Sequence, residues 1–111
     1  LSMPKSGYSS VTTQETYAMD KYTKCEVDFY AFECDSSTAH PTLYLTVRNE
    51  AGNNVASRSI GKDTANEGTL SLPLALTGQH TIIVSASNAS GNYTASVRVT
   101  GIRLLMEGET V

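Results

Sequence analysis

Tryptophan is absent from this chain of 111 residues, and charge is sparse, with Asp, Glu, Lys and Arg making up only 17% of it. The first absence removes the most effective side chain for stacking a sugar ring, so any carbohydrate platform has to be built from tyrosine. The second is sharpened by distribution: the eight basic residues are spread singly and the net charge is −3. No cationic stripe exists to displace counterions from a phosphate backbone, which argues against nucleic acid as a partner. No apolar run approaches the roughly 20 residues needed to cross a bilayer, so membrane insertion is not expected. The first residues also lack the apolar core of a secretion signal, although a removed signal would leave the same start. Glu, Lys, Gln and Arg in i, i+4 pairs are scarce, and no helical period is found anywhere.

What is present is Ser and Thr, about a quarter of the chain, with β-branched and aromatic residues in alternation. Thr42 to Asn49 places Leu43, Leu45 and Val47 on one side and Tyr44, Thr46 and Arg48 on the other, the two-residue period of a half-buried strand. Glu50 to Asn54 reads as a tight turn, with Gly52 free to take positive φ, and Val55 to Ile60 as the returning strand. Glu26 to Glu33 alternates with Val27, Phe29 and Ala31 inward and Asp28, Tyr30 and Phe32 outward. Val11 to Met19 reads as a first strand interrupted at Glu15. Thr69 to Leu74 brings in Leu70, Leu72 and Leu74, with Pro73 marking a strand end or a sheet edge. His80 to Ser87 and Tyr93 to Thr100, joined by Asn88-Ala89-Ser90-Gly91, read as one long β-hairpin. Ile102, Leu104 and Met106 follow as a short final strand.

Seven or eight short strands with a turn signal every 8 to 12 residues predict an all-β fold, a two-layer antiparallel Ig-like β-sandwich. Residues 1–10 are expected as a flexible lead-in, 11–107 as the single domain and 108–111 as a C-terminal tail that reads as cut from something longer.

Chemistry is thin. There is no Gly-x-Ser-x-Gly, and His40 and His80 both sit beside turn signals, where a solvent-facing or cap-like role is expected, so the chain reads as a non-enzyme without a cofactor. Cys25 and Cys34 flank one predicted strand. If it is straight their sulfurs lie about 30 Å apart, and a disulfide forms only if the chain turns back between them. Both states stay open. The acidic group Asp20, Glu26, Asp28, Glu33 and Asp35 has the hard oxygens that Ca²⁺ takes, but it alternates onto both faces of a strand and reads first as a solvated face. Tyr30, Tyr44 and Arg48 would form a small ligand platform if their strands are neighbours. Asn88-Ala89-Ser90 and Asn92-Tyr93-Thr94 fit the acceptor pattern for N-glycosylation at a predicted loop tip.

Two phrases share a logic: Leu43 to Asn53 and Thr81 to Asn92 each run an alternating strand into a small-residue turn ending in Gly-Asn. In this the chain resembles the bacterial Ig-like and fibronectin-III-like repeats of surface proteins. Val27-Asp28-Phe29-Tyr30-Ala31-Phe32 and Leu76 to Ile82 are similar to strands of the pre-peptidase C-terminal type of sandwich on secreted bacterial enzymes. Both resemblances imply an extracellular or cell-surface module and carry no catalytic residue across. The expectation is therefore a non-catalytic spacer or adhesion domain with a protein or polysaccharide partner. The alternatives are a carbohydrate- or Ca²⁺-dependent accessory module of a secreted enzyme and an Ig-like structural domain of a virion.

Overall fold

The computed structural model describes residues 1–107 of the chain. Nine strands run in the order β1 (Ser2–Met3), β2 (Tyr8–Thr12), β3 (Tyr17–Ala18), β4 (Tyr22–Cys34), β5 (Thr42–Asn49), β6 (Asn54–Gly61), β7 (Gly68–Pro73), β8 (Gln79–Ser87) and β9 (Ala95–Met106). A single 3₁₀ turn, Met19–Lys21, separates β3 from β4. One sheet has the order β1-β9-β4-β7, and the other β2-β8-β5-β6 with β3 also on β8. Every pairing is antiparallel. The two-layer all-β sandwich is as the alternation predicts.

The two layers are held by the inward set of each strand. Val27 and Phe29 from β4, Leu43, Leu45 and Val47 from β5, Leu70 and Leu72 from β7, Ile82 and Val84 from β8 and Val97 from β9 form one buried cluster. Burying each such side chain contributes about 1.5–3 kcal/mol. Pro73 ends β7, which is the edge strand of its sheet.

The connection between the last two strands is not a hairpin. β8 pairs with β2, β3 and β5, whereas β9 pairs with β1 and β4 in the other layer. Alternation reports which face of a strand is apolar, and it carries no information on which sheet receives the strand. Because β2 and β3 pair with successive parts of β8, they count as one interrupted strand. The sheets then read 1-8-3-6 facing 2-7-4-5, the strand order of a jelly roll. The expected final strand at Ile102 to Met106 is continuous with Ala95 to Gly101, making one strand of 12 residues.

Residues 1–10 are also not a lead-in. Met3 is 1% exposed and packs into the core, and Ser2 and Met3 pair with Ser96 and Ala95. The apolar alternation Leu1, Met3 around Ser2 is short, but it is enough to seat the chain against β9.

Phe32 turns inward, contrary to the alternation. Ala31 adopts φ 52°, a left-handed bulge within β4, and the register to β9 shifts between Tyr30 and Glu33. The inserted residue reverses the side-chain parity, so Phe29 and Phe32 both point into the core with rings edge to face at 6.1 Å between centroids. The Phe32 N–H meets the Asn66 carbonyl at 3.2 Å. Residues 108–111, expected as a tail, lie outside the described residues.

Candidate functional site

The outward faces of the two sheets differ in chemistry. On the four-stranded sheet, Glu26 and Asp28 from β4 stand beside Arg103 of β9 and beside Ser71 and Thr69 of β7. Arg103 donates from Nε and Nη2 to Glu26 Oε1 at 3.2 and 3.1 Å, from Nη2 to Asp28 Oδ1 at 3.0 Å, and from Nη1 to Asp28 Oδ2. Thr69 and Ser71 hydroxyls donate to Asp28 and Glu26 at 2.6 and 3.0 Å. These donors, Arg103 first, pull the Asp28 carboxyl from its ordinary 3.8 to about 2. Partial burial by itself would raise Glu26, but the bonds from Ser71 and Arg103 outweigh it and hold its carboxyl low. The same bonds, that to Asp28 foremost, raise Arg103.

The acidic group weighed as a Ca²⁺ site is therefore dispersed. Glu26 and Asp28 are both engaged by Arg103, with Lys24 3.7 Å from Glu26, Asp20 accepts the Gly78 N–H at 2.6 Å, and Glu33 and Asp35 line a separate groove of about 500 Å³ with Met3, Cys34 and Ala95. Cys25 and Cys34 are free thiols near opposite ends of β4. Burial, reinforced by the charge of Glu26, pushes the Cys25 thiol up to about 11.

The outward face of the five-stranded sheet carries almost no charge. Its ladders set side chains in rungs across the strands: Tyr8, Ser87 and Thr42; Ser10, Ser85, Tyr44 and Ser59; Thr12, Ile83, Thr46 and Ser57. Ten of these eleven side chains are hydroxyl-bearing aliphatics or tyrosines, and Arg48 stands at one end as the charged member. Tyr8 is 75% exposed and Tyr44 37%. By strand spacing and rise the two rings' positions lie about 12 Å apart across the face. One rung beyond Tyr44, on the side away from Tyr8, Ile83 and Thr46, directly opposed, are only 7% and 9% exposed, shielded by the side chains around them.

Neither a search of protein-family models nor one of curated proteins finds a match to this chain. The site has to be judged on its own geometry.

On that geometry the platform of Tyr30, Tyr44 and Arg48 is not assembled. Tyr30 belongs to β4 in one sheet and Tyr44 and Arg48 to β5 in the other, so their outward faces point in opposite directions. Tyr30 instead lies under Arg98 of β9, with Cζ 5.9 Å from the ring centroid. Arg48 donates from Nε to Asn54 Oδ1 at 3.0 Å. Tyr44 keeps its outward position, and its true companions are Ser85 and Ser59 on the flanking strands, with Tyr8 beyond. Sequence reasoning missed Tyr8 because residues 1–10 read as a lead-in.

Of the solvent-facing or cap-like roles expected for the histidines, His80 takes the cap-like one. His80 is 6% exposed, its Nδ1 3.1 Å from the Gly78 carbonyl, so it is an inward residue that closes its own turn. His40 is half-buried, and no bond is made by its Nδ1.

Asn88 is another residue whose place the sequence pattern misassigned. It is 4% exposed, its Nδ2 donates to the Pro4 and Tyr93 carbonyls at 3.0 and 2.8 Å, and its Oδ1 accepts the Ser90 N–H at 3.0 Å. A glycan on that nitrogen is incompatible with these bonds. Asn92, four residues on, is exposed.

Proposed function

We propose that this chain is a non-catalytic recognition module of a secreted or surface-attached protein, binding a neutral glycan on the outward face of the five-stranded sheet. The observation that carries the reading is the segregation of chemistry between the two faces. On one face charged groups are collected and paired, Glu26 and Asp28 with Arg103 and Lys24. The other presents hydroxyls and two exposed tyrosines on adjacent rungs, with a nearly covered Ile83 one rung beyond Tyr44. A polyhydroxylated, uncharged ligand matches such a face: ring faces stack on Tyr8 and Tyr44, and its hydroxyls exchange donors and acceptors with Ser10, Ser59 and Ser85. A charged ligand would find only Arg48, already engaged with Asn54.

The spacer reading asks nothing of either face, and one experiment separates the two. The intact chain is applied to an array of neutral and acidic glycans, with and without EDTA. Retention on neutral glycans that is insensitive to EDTA, and that falls about tenfold in Tyr8→Ala and in Tyr44→Ala, supports recognition. Arg103→Gln leaves it unchanged. Retention unaffected by both tyrosine variants, or absent across the neutral glycans, overturns it in favour of the spacer.

A further inference from the structure

One flank of the sandwich is not closed. β1 covers the outer edge of β9 only at Ala95 and Ser96, with one further rung where the Leu1 nitrogen donates to the Val97 carbonyl at 2.7 Å and the Val97 N–H donates to the Leu1 carbonyl at 3.0 Å. β9 continues to Met106, and among the described residues no strand lies on that edge beyond Val97. In an antiparallel ladder such doubly bonded pairs recur every second residue, so the backbone N–H and carbonyl of Val99 aim at the same open edge.

Beneath this edge runs an apolar seam between the two sheets. Its first part, about 410 Å³, has Val84 as its floor and Val11, Val99 and Ile102 as its sides. A second hollow of about 290 Å³ shares Ile102 and extends to Ile82 and Tyr17. Val11 is 56% exposed and Ile102 39% although both sit on the core side of their strands. Their ladder partners Val84 and Val27 are buried. Here the covering layer is missing.

We propose that this seam is a strand-acceptor site, filled by residues peptide-bonded to Leu1 in a longer polypeptide, which prolong β1 along β9. Ladder continuity sets the chemistry of the occupant. The residue before Leu1 faces Arg98 and points outward, where an acidic side chain pairs with the guanidinium. The next one back faces Val99 and points into the seam, where an apolar side chain covers Val11 and Ile102. Addition in line keeps the Leu1 nitrogen on the Val97 carbonyl and brings the next residues to β9 without a second segment having to find the edge. Main-chain bonds supply the attachment and alternate side chains the selectivity.

The test uses the whole chain carrying Thr-Val-Thr-Val-Glu ahead of Leu1, beside a control extended by Thr-Pro-Thr-Pro-Glu, which cannot donate to a ladder. Amide exchange is followed by NMR. The proposal expects the Val99 N–H to exchange about tenfold more slowly in the first extension than in the control, together with a higher melting temperature. Equal exchange in the two overturns it. So does protection of Val99 in the unextended chain that grows with protein concentration, which assigns the edge to a second copy. Protection by the free peptide but not by the fused one likewise overturns it. None of these readouts depends on glycan binding.

Discussion

Removing the Asn88 side chain should cost more than any exposed loop residue can, because three bonds leave with it. In Asn88→Ala the Ser90 N–H, in a residue itself 4% exposed, loses its acceptor. A buried donor left without a partner costs about 1–3 kcal/mol. The Pro4 and Tyr93 carbonyls lose their donors too, but they sit on residues open to solvent, so water recovers part of each bond and the loss is about 0.5 kcal/mol apiece. The sum is about 3 kcal/mol, which for a domain of this size lowers Tm by roughly 12 °C. Thermal and urea denaturation followed by circular dichroism measure it. The same side chain ties the β8–β9 crossing to the Pro4 turn at the start of the chain, so β1 should lose amide protection together with the loop. Were Asn88 the turn residue of a solvent-exposed hairpin, the substitution would fall within about 0.5 kcal/mol of the parent. A result in that range refutes the sheet-crossing account.

Acid should weaken the fold through the Arg103 network. The folded-state values of Asp28 and Glu26 lie below their ordinary ones, so their contribution is complete above the unfolded values and fades as pH falls from about 4.5 toward about 2. Asp28 is about a third exposed, so screening reduces its share to about 1 kcal/mol. Arg103→Gln should flatten stability against pH over that window, and an unchanged slope would contradict the network. Native protein should react with a thiol reagent at Cys34 alone at neutral pH, because Cys25 is fully buried and its thiol is pushed to about 11. Equal labelling of both cysteines before unfolding would count against the burial of β4. Ala31→Gly should stabilise the protein by about 1 kcal/mol, since glycine takes the left-handed bulge without the Cβ clash, and Ala31→Val should destabilise it. Denaturant midpoints of the two variants decide that.

How far the fold could be read from sequence follows from what alternation encodes. Leu43, Leu45 and Val47 announced their strand to the residue, and Gly52, at φ 87°, closes the turn that its neighbours suggested. In those places the side-chain period and turn chemistry agree locally, and nothing distant overrides them. Phe32 was misplaced because one residue in left-handed geometry reverses the parity of all that follow, and Ala31 carries no signal of it. The pairing of β9 with β4 instead of β8 was invisible, since two apolar stripes of equal period fit either layer. That error removed the platform too: Tyr30 and Tyr44 are outward, as read, but on opposite sides of the molecule. Asn88 stood out as a turn residue and as a glycosylation pattern, though the cluster of small polar residues around it is also what a buried side-chain cap requires.

The proposed recognition puts a neutral glycan on the five-stranded sheet, and shift mapping tests that placement most directly. Backbone and tyrosine resonances of the intact chain are followed by NMR while a soluble neutral polysaccharide retained on the array is added. Perturbations confined to Tyr8, Tyr44 and the Ser10–Ser85–Ser59 rung are predicted. Perturbations centred on Glu26, Asp28 and Arg103, on the opposite sheet, would contradict it.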